Sequence, residues 1–120
     1  MSEQAAIRGV ALDYIEGWYE ASAARMDKAL YERLAKRRIV SCDEVWEVGR
    51  DWMVEATAEG RGRLEHPEQG RRDVMVLDET PTMASVKVIA ERFTDYLHLA
   101  KIEGGWKIVN VLWDLHPDAE

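Results

Sequence analysis

The hydrophobic period of this chain changes near residue 70, and that change constrains the fold more than any other feature. Before it, apolar residues recur at spacings of three and four, as on amphipathic helices. Residues 5–21 place Ile7, Val10, Ala11, Tyr14, Ile15 and Trp18 on one side, with Arg8, Asp13, Glu16 and Glu20 opposite. Ser22 can cap a second helix over 23–36, with Ala23, Met26, Leu30 and Leu34 on one face. Lys36-Arg37-Arg38 then reads as a solvated helix end that complements the dipole. Ser41 and Glu44 have capping-box spacing, so a third helix is expected over 43–57, carrying Val45, Trp46, Val48, Trp52, Met53 and Ala56. Residues 57–70 form a polar loop. After it come strand-like runs at 73–79, 83–92, 93–103 and 106–115, with turns at Glu79-Thr80-Pro81-Thr82 and Gly104-Gly105. Helices followed by strands mean an α+β domain over 1–120, with three helices packed on an antiparallel sheet of four strands or more.

Charge removes several function classes. The chain carries 16 basic and 23 acidic residues, a net −7, and neither half is basic. A nucleic-acid or anionic-membrane binder needs a concentrated positive face, so neither is expected. A single cysteine, Cys42, excludes an internal disulfide framework, and a buried, inert thiol is expected there. The opening residues lack the basic start and apolar run of a signal peptide, and no apolar stretch approaches a membrane span. A cytoplasmic domain is the expectation. Five Trp and four Tyr stand against one Phe. Each Trp or Tyr brings a polar atom that wants a partner when buried, which suits an amphipathic cavity or an interface.

The last hairpin assigns faces. A two-residue loop at Gly104-Gly105 pairs Ala100 with Val109, His98 with Val111 and Tyr96 with Trp113. One face then carries Tyr96, His98, Ala100, Val109, Val111 and Trp113. The other carries Asp95, Leu97, Leu99, Trp106, Ile108, Leu112 and Asp114. Helices cover only one face, so the second apolar face is expected to meet another subunit. A homodimer through Leu97, Leu99, Trp106, Ile108 and Leu112 follows.

Asp13-Tyr14-Ile15-Glu16-Gly17-Trp18-Tyr19, Ala29-Leu30-Tyr31, Asp95-Tyr96-Leu97-His98-Leu99 and Gly105-Trp106-Lys107-Ile108-Val109-Asn110 together resemble the lumazine-binding family of the nuclear transport factor 2-like (NTF2-like) superfamily. The resemblance implies a cone-shaped α+β domain, a curved sheet around helices with a cavity at its wide end. It also implies a dimer through the outer sheet face, and a pteridine- or flavin-like ligand. Ketosteroid isomerase shares the fold. Tyr14 matches its oxyanion-hole tyrosine, and the register above places His98 where its second, carboxylic acid donor sits. The carboxylate base of that enzyme has no counterpart, because the region after helix 2 reads Lys36-Arg37-Arg38-Ile39. Ser22 replaces the family's usual Asp, and Tyr31 a frequent His.

Three function classes follow. The first is a small-molecule binding protein whose cavity is lined by Tyr14, Trp18, Trp52, Tyr96, His98 and Trp113, with Tyr31 and Trp46 as further candidates. The second is an isomerase, dehydratase or cyclase with His98 as general acid/base and Tyr14 as donor to an enolate. The third is a dimerisation or partner-binding domain. Asp95 and Asp114 cannot replace the missing base in this register, unless a bulge near Arg92 turns Asp95 round. No metal site or cofactor is read from the sequence: His66, His98 and His116 lack ligand spacing. Arg61, Arg63, Arg71 and Arg72 read as a solvated stretch, with a small anion-binding mouth as the alternative.

Overall fold

The computed structural model describes residues 3–118. The chain runs α1 (Gln4–Glu20), α2 (Ala23–Ala29), β1 (Leu30–Ser41), β2 (Glu44–Val48), α3 (Arg50–Ala58), a short 3-10 turn (Pro67–Gln69), β3 (Arg72–Glu79), β4 (Met83–Ala90), β5 (Phe93–Ile102) and β6 (Gly105–Leu115). The sheet has six strands in the order β2-β1-β6-β5-β4-β3. Neighbours are antiparallel except β1 and β6, which are parallel. The architecture is α+β with three α-helices on one face of the sheet. No helix among the described residues is long and apolar enough to cross a membrane.

Two expected helices are corrected. The helix expected over 23–36 ends at Ala29, and its second half is strand β1. Leu34, Lys36 and Arg38 alternate toward one side of β1, a period of two that the helical reading absorbed. The helix expected over 43–57 starts only at Arg50. Ser41 to Glu44 is a hairpin turn, in which the Ser41 hydroxyl donates to the Asp43 carboxylate at 2.9 Å instead of capping a helix. The β-branched pairs around that turn favour extended backbone, and β1 gives β2 a ladder. Four expected strands therefore become six. Cys42 lies in this turn and is exposed, not buried.

The α1–α2 corner is as expected. Ala21 ends α1 in the left-handed region, at φ 57° and ψ 36°, and Ser22 caps α2 by accepting from the Arg25 N–H at 3.3 Å. Gly17 lets the corner close, since a Cβ there would meet the Met26 nitrogen at 3.2 Å. Arg25 then reaches back to Asp13 and Glu16 at 3.0 and 2.9 Å.

The β5–β6 register differs from the expectation and reassigns the faces of the β6 residues beyond the bulge, Val111 to Asp114. Glu103 and Gly104, not Gly104 and Gly105, are the loop, with φ of 50° and 82°, and Ile102 pairs with Gly105. Positive φ at both central residues matches the right-handed strand twist. A bulge between His98 and Leu99 lets Val109 slip out of the ladder. Asp95, Leu97, Leu99, Trp106 and Ile108 share one face as expected, and the bulge adds Val111; this face, nearly inaccessible to solvent, packs against the helices. The core joins them to Ile7, Ala11, Tyr14 and Ile15 of α1. Tyr96, His98 and Leu112 face outward. The proposed dimer face is thus misassigned for Leu97, Leu99, Trp106 and Ile108, which are core; of its five residues only Leu112 is outward. Register follows the face that buries more apolar surface, and Leu97-x-Leu99 outweighs Tyr96-x-His98.

Candidate functional site

α1 and α3, the segment after α3 and the ends of β1, β5 and β6 enclose a cavity of about 430 Å³. Its walls are aromatic. Trp46 of β2 meets Trp52 of α3 edge-on at 5.1 Å between ring centroids, and Trp113 of β6 at 5.9 Å. Phe93 meets the far side of Trp113 at 5.9 Å. Trp18 of α1 supplies another wall. Hydrophobic strands and helices deliver these rings because each carries one apolar stripe toward the interior.

At the base of this cage sits a lysine. Lys36 is only 6% exposed, and its Nζ donates to the Tyr14 hydroxyl at 2.7 Å. Its ammonium centre lies 5.2, 5.9 and 5.3 Å from the rings of Tyr14, Trp18 and Trp113. Asp95, fully buried, stands beside the pair, and neither of its oxygens makes a hydrogen bond of good geometry. Burial pushes the Lys36 amine below its usual range, against the opposing charge of Asp95. Burial pushes the Asp95 carboxyl up, against the Lys36 charge and the Tyr14 hydroxyl. Tyr14 is held well above the ordinary phenol range, first by burial and then by Asp95, so it stays protonated at neutral pH. The indole N–H of Trp113 is buried without an acceptor among the described residues.

Arg61 to Leu64 form one wall of the cavity. The Leu64 N–H donates to the Tyr19 carbonyl at 3.1 Å, and the Tyr19 hydroxyl donates to the Arg71 carbonyl at 2.6 Å while accepting from the Glu91 N–H. Arg72 binds Glu16 at 2.9 Å and Arg71 binds Asp73 at 2.7 Å, so these two arginines serve structure rather than an anion site. Arg61 and Arg63 do reach the rim, Arg61 over the Trp52 ring at 5.4 Å.

Of the residues expected from sequence, Tyr14, Trp18, Trp46, Trp52 and Trp113 come together around the cavity. Three do not. Tyr31 lies outside it, with its hydroxyl near Arg33 at 3.5 Å. Tyr96 is 48% exposed on the outer sheet face, and His98 is exposed beside Asn110 at 3.5 Å. The general acid/base role expected for His98 is therefore corrected: a strand side chain on the opposite face cannot reach the cavity. Sequence reasoning missed Lys36 and Asp95. The alternation Leu34-x-Lys36-x-Arg38 could have shown Lys36 as a strand residue. Alternation groups Asp95 with Leu97 and Leu99, but nothing local shows that this face is the buried one or that a bulge sets Trp113 opposite Asp95.

A family described as "Putative lumazine-binding" matches residues 2–114. The chain belongs to this family. Solved structures agree on the fold. An NTF2-like protein of unknown function from Methylobacillus flagellatus is 20% identical, with a TM-score of 0.77 over 97% of this chain and 95% of its own. One from Silicibacter pomeroyi is 14% identical, with a TM-score of 0.76 over 97% and 100%. A ketosteroid isomerase-like protein from Erwinia carotovora atroseptica is 13% identical, with a TM-score of 0.70 over 96% and 98%. At these identities the likeness shows the NTF2-like fold alone. No curated protein matches the chain in sequence. Within this lumazine-binding family member, the place that sequence reasoning gave to His98 beside Tyr14 is held by the Asp95 carboxyl.

Proposed function

We propose that this lumazine-binding family protein binds a planar, partly polar small molecule in the cavity between α1, α3 and the sheet. The observation that carries the reading is the Lys36–Tyr14 hydrogen bond at the base of an aromatic cage. A domain that only packed its core would fill this space with aliphatic side chains rather than enclose an amine in it. The volume falls within the usual range of ligand pockets, and aromatic walls with few polar groups fit a flat ring system with a polar edge. The family description favours a pteridine-like ring.

The test is a titration with lumazine and with 2-naphthalenemethanol, read by tryptophan fluorescence and by calorimetry. Saturable quenching is expected, and Trp113→Ala is expected to weaken affinity about tenfold, the worth of one aromatic contact. No heat and no quenching by either probe would overturn the reading.

A second reading concerns the outer sheet face. Ile39, Tyr96 and Leu112 are each about half exposed and line one groove there with Lys87 and Thr94. We infer that two copies pack through this face, since exposed apolar patches of this kind mark interfaces. Light scattering should give twice the monomer mass, and Leu112→Asp should reduce it to one. A wild-type monomer at high concentration would refute this interface.

A further inference from the structure

We propose that Lys36 is a covalent attachment point: its ε-amine condenses with the carbonyl of an aromatic aldehyde held between Trp18 and Trp113, forming an imine. This deepens the small-molecule reading and rests on it.

The geometry is specific to one of five lysines. Lys28, Lys101 and Lys107 are engaged at the surface with Asp13, Glu3 and the Lys28 carbonyl, and Lys87 lies over Tyr96 on the outer face. Among the described residues Lys36 is the lysine that lines the cavity, and its one hydrogen-bond partner there is the Tyr14 oxygen. An ammonium buried among aromatic rings loses hydration, which shifts the balance toward the free amine, the nucleophilic form. Asp95 opposes this, yet the net direction for Lys36 is downward.

The step balances with the groups present. The Nζ lone pair attacks the carbonyl carbon, a C–N bond forms, and the carbonyl oxygen takes a proton to become the carbinolamine hydroxyl. That hydroxyl then leaves as water when the C–O bond breaks and the C=N bond forms. Both hydrogens lost by the amine leave in the water, so no oxidant or reductant is consumed. Tyr14 stands where a relay is needed. Its oxygen accepts the proton leaving Nζ, and its own proton, unionised at neutral pH, passes to the departing hydroxyl. Flat aromatic walls set the substrate class, because Trp18 and Trp113 offer faces to a ring rather than room for a branched chain.

The experiment uses the intact protein. It is incubated with 2-naphthaldehyde, reduced with sodium cyanoborohydride, and read by intact mass and peptide mapping. One adduct is expected, on Lys36, exceeding the other lysines roughly tenfold or more, because the aromatic walls hold the aldehyde against this amine alone. Tyr14→Phe is expected to slow adduct formation about 100-fold, the usual worth of a placed proton-transfer group. Adducts spread over Lys28, Lys87, Lys101 and Lys107 with none on Lys36 would overturn the attachment. Binding of the alcohol in that case would leave the small-molecule reading standing. Absence of both adduct and alcohol binding would sink the two together. Because mapping is done on the wild type, the result does not hang on a variant that fails to fold.

Discussion

Lys36→Met and Asp95→Asn are expected to destabilise the protein in opposite pH ranges. Each removes the charge that supports the other within a buried cluster. Losing one partner of such a pair costs about 3 kcal/mol where the remaining group must stay charged. In Lys36→Met the remaining group is Asp95, whose carboxyl in the folded state lies above the unfolded value of 3.8. Below that value both states are protonated and no electrostatic penalty is felt. As pH rises toward the folded pKa, the unfolded chain releases its proton first, so stability falls. In Asp95→Asn the remaining group is Lys36, whose folded pKa lies below 10.5. There the penalty is complete at low pH, where the amine is charged in both states. It shrinks as pH rises from the folded pKa to 10.5, so stability increases across that window. The double variant keeps neither buried charge and should cost less than the sum of the two. Urea unfolding of all four proteins at about pH 5 and about pH 9 checks this. Parallel pH trends for the two single variants would refute the coupling.

Gly62→Ala is expected to collapse the site without removing any of its polar groups. A Cβ at residue 62 would fall inside van der Waals contact with the indole of Trp18, at its Nε1, Cε2 and Cδ1 atoms. The ring forms one cavity wall, so it must turn or the segment after α3 must lift. Overpacking of this kind costs about 1–3 kcal/mol. Affinity for 2-naphthalenemethanol should fall with it, and tryptophan emission should shift as Trp18 moves. Gly9→Ala is the matched control. Nothing lies within 4 Å of a Cβ there, and the position is an exposed site in α1. It should gain about 1 kcal/mol from helix propensity and leave binding unchanged. A Gly62→Ala protein with wild-type stability and affinity would show that the segment after α3 does not wall the site.

The contrast between these two sites separates what each level of structure contributes. Tyr14 and Trp18 could be placed on one stripe of α1 from their spacing alone, because a helix presents positions four apart on one side whatever surrounds it. Ser22 likewise acts locally, through a bond to an amide three residues on. The α+β class and the family needed no more than periodicity and the segments around Tyr14, His98 and Trp106. The inward turn of Asp95 was of another kind. Period-two alternation names two faces but does not say which is buried. The choice was made by packing against α1, which buries Leu97 and Leu99 with Asp95, while the bulge opposite His98 shifts the β6 count by one residue and brings Val111 and Trp113 to that face. Lys36 is the sharper instance. Within Lys36-Arg37-Arg38 it looked like its two neighbours, and all three are basic. Only the ladder between β1 and β6, which sets Lys36 against Val111 and Arg38 against Trp113, brings it under the aromatic rings. Local sequence thus determined the helix faces, the caps and the fold class, which rest on contacts a few residues apart. The tertiary structure decided the chemistry of the cavity, because its lysine, tyrosine and carboxylate come from β1, α1 and β5, and pairings distant along the chain set which of their side chains meet.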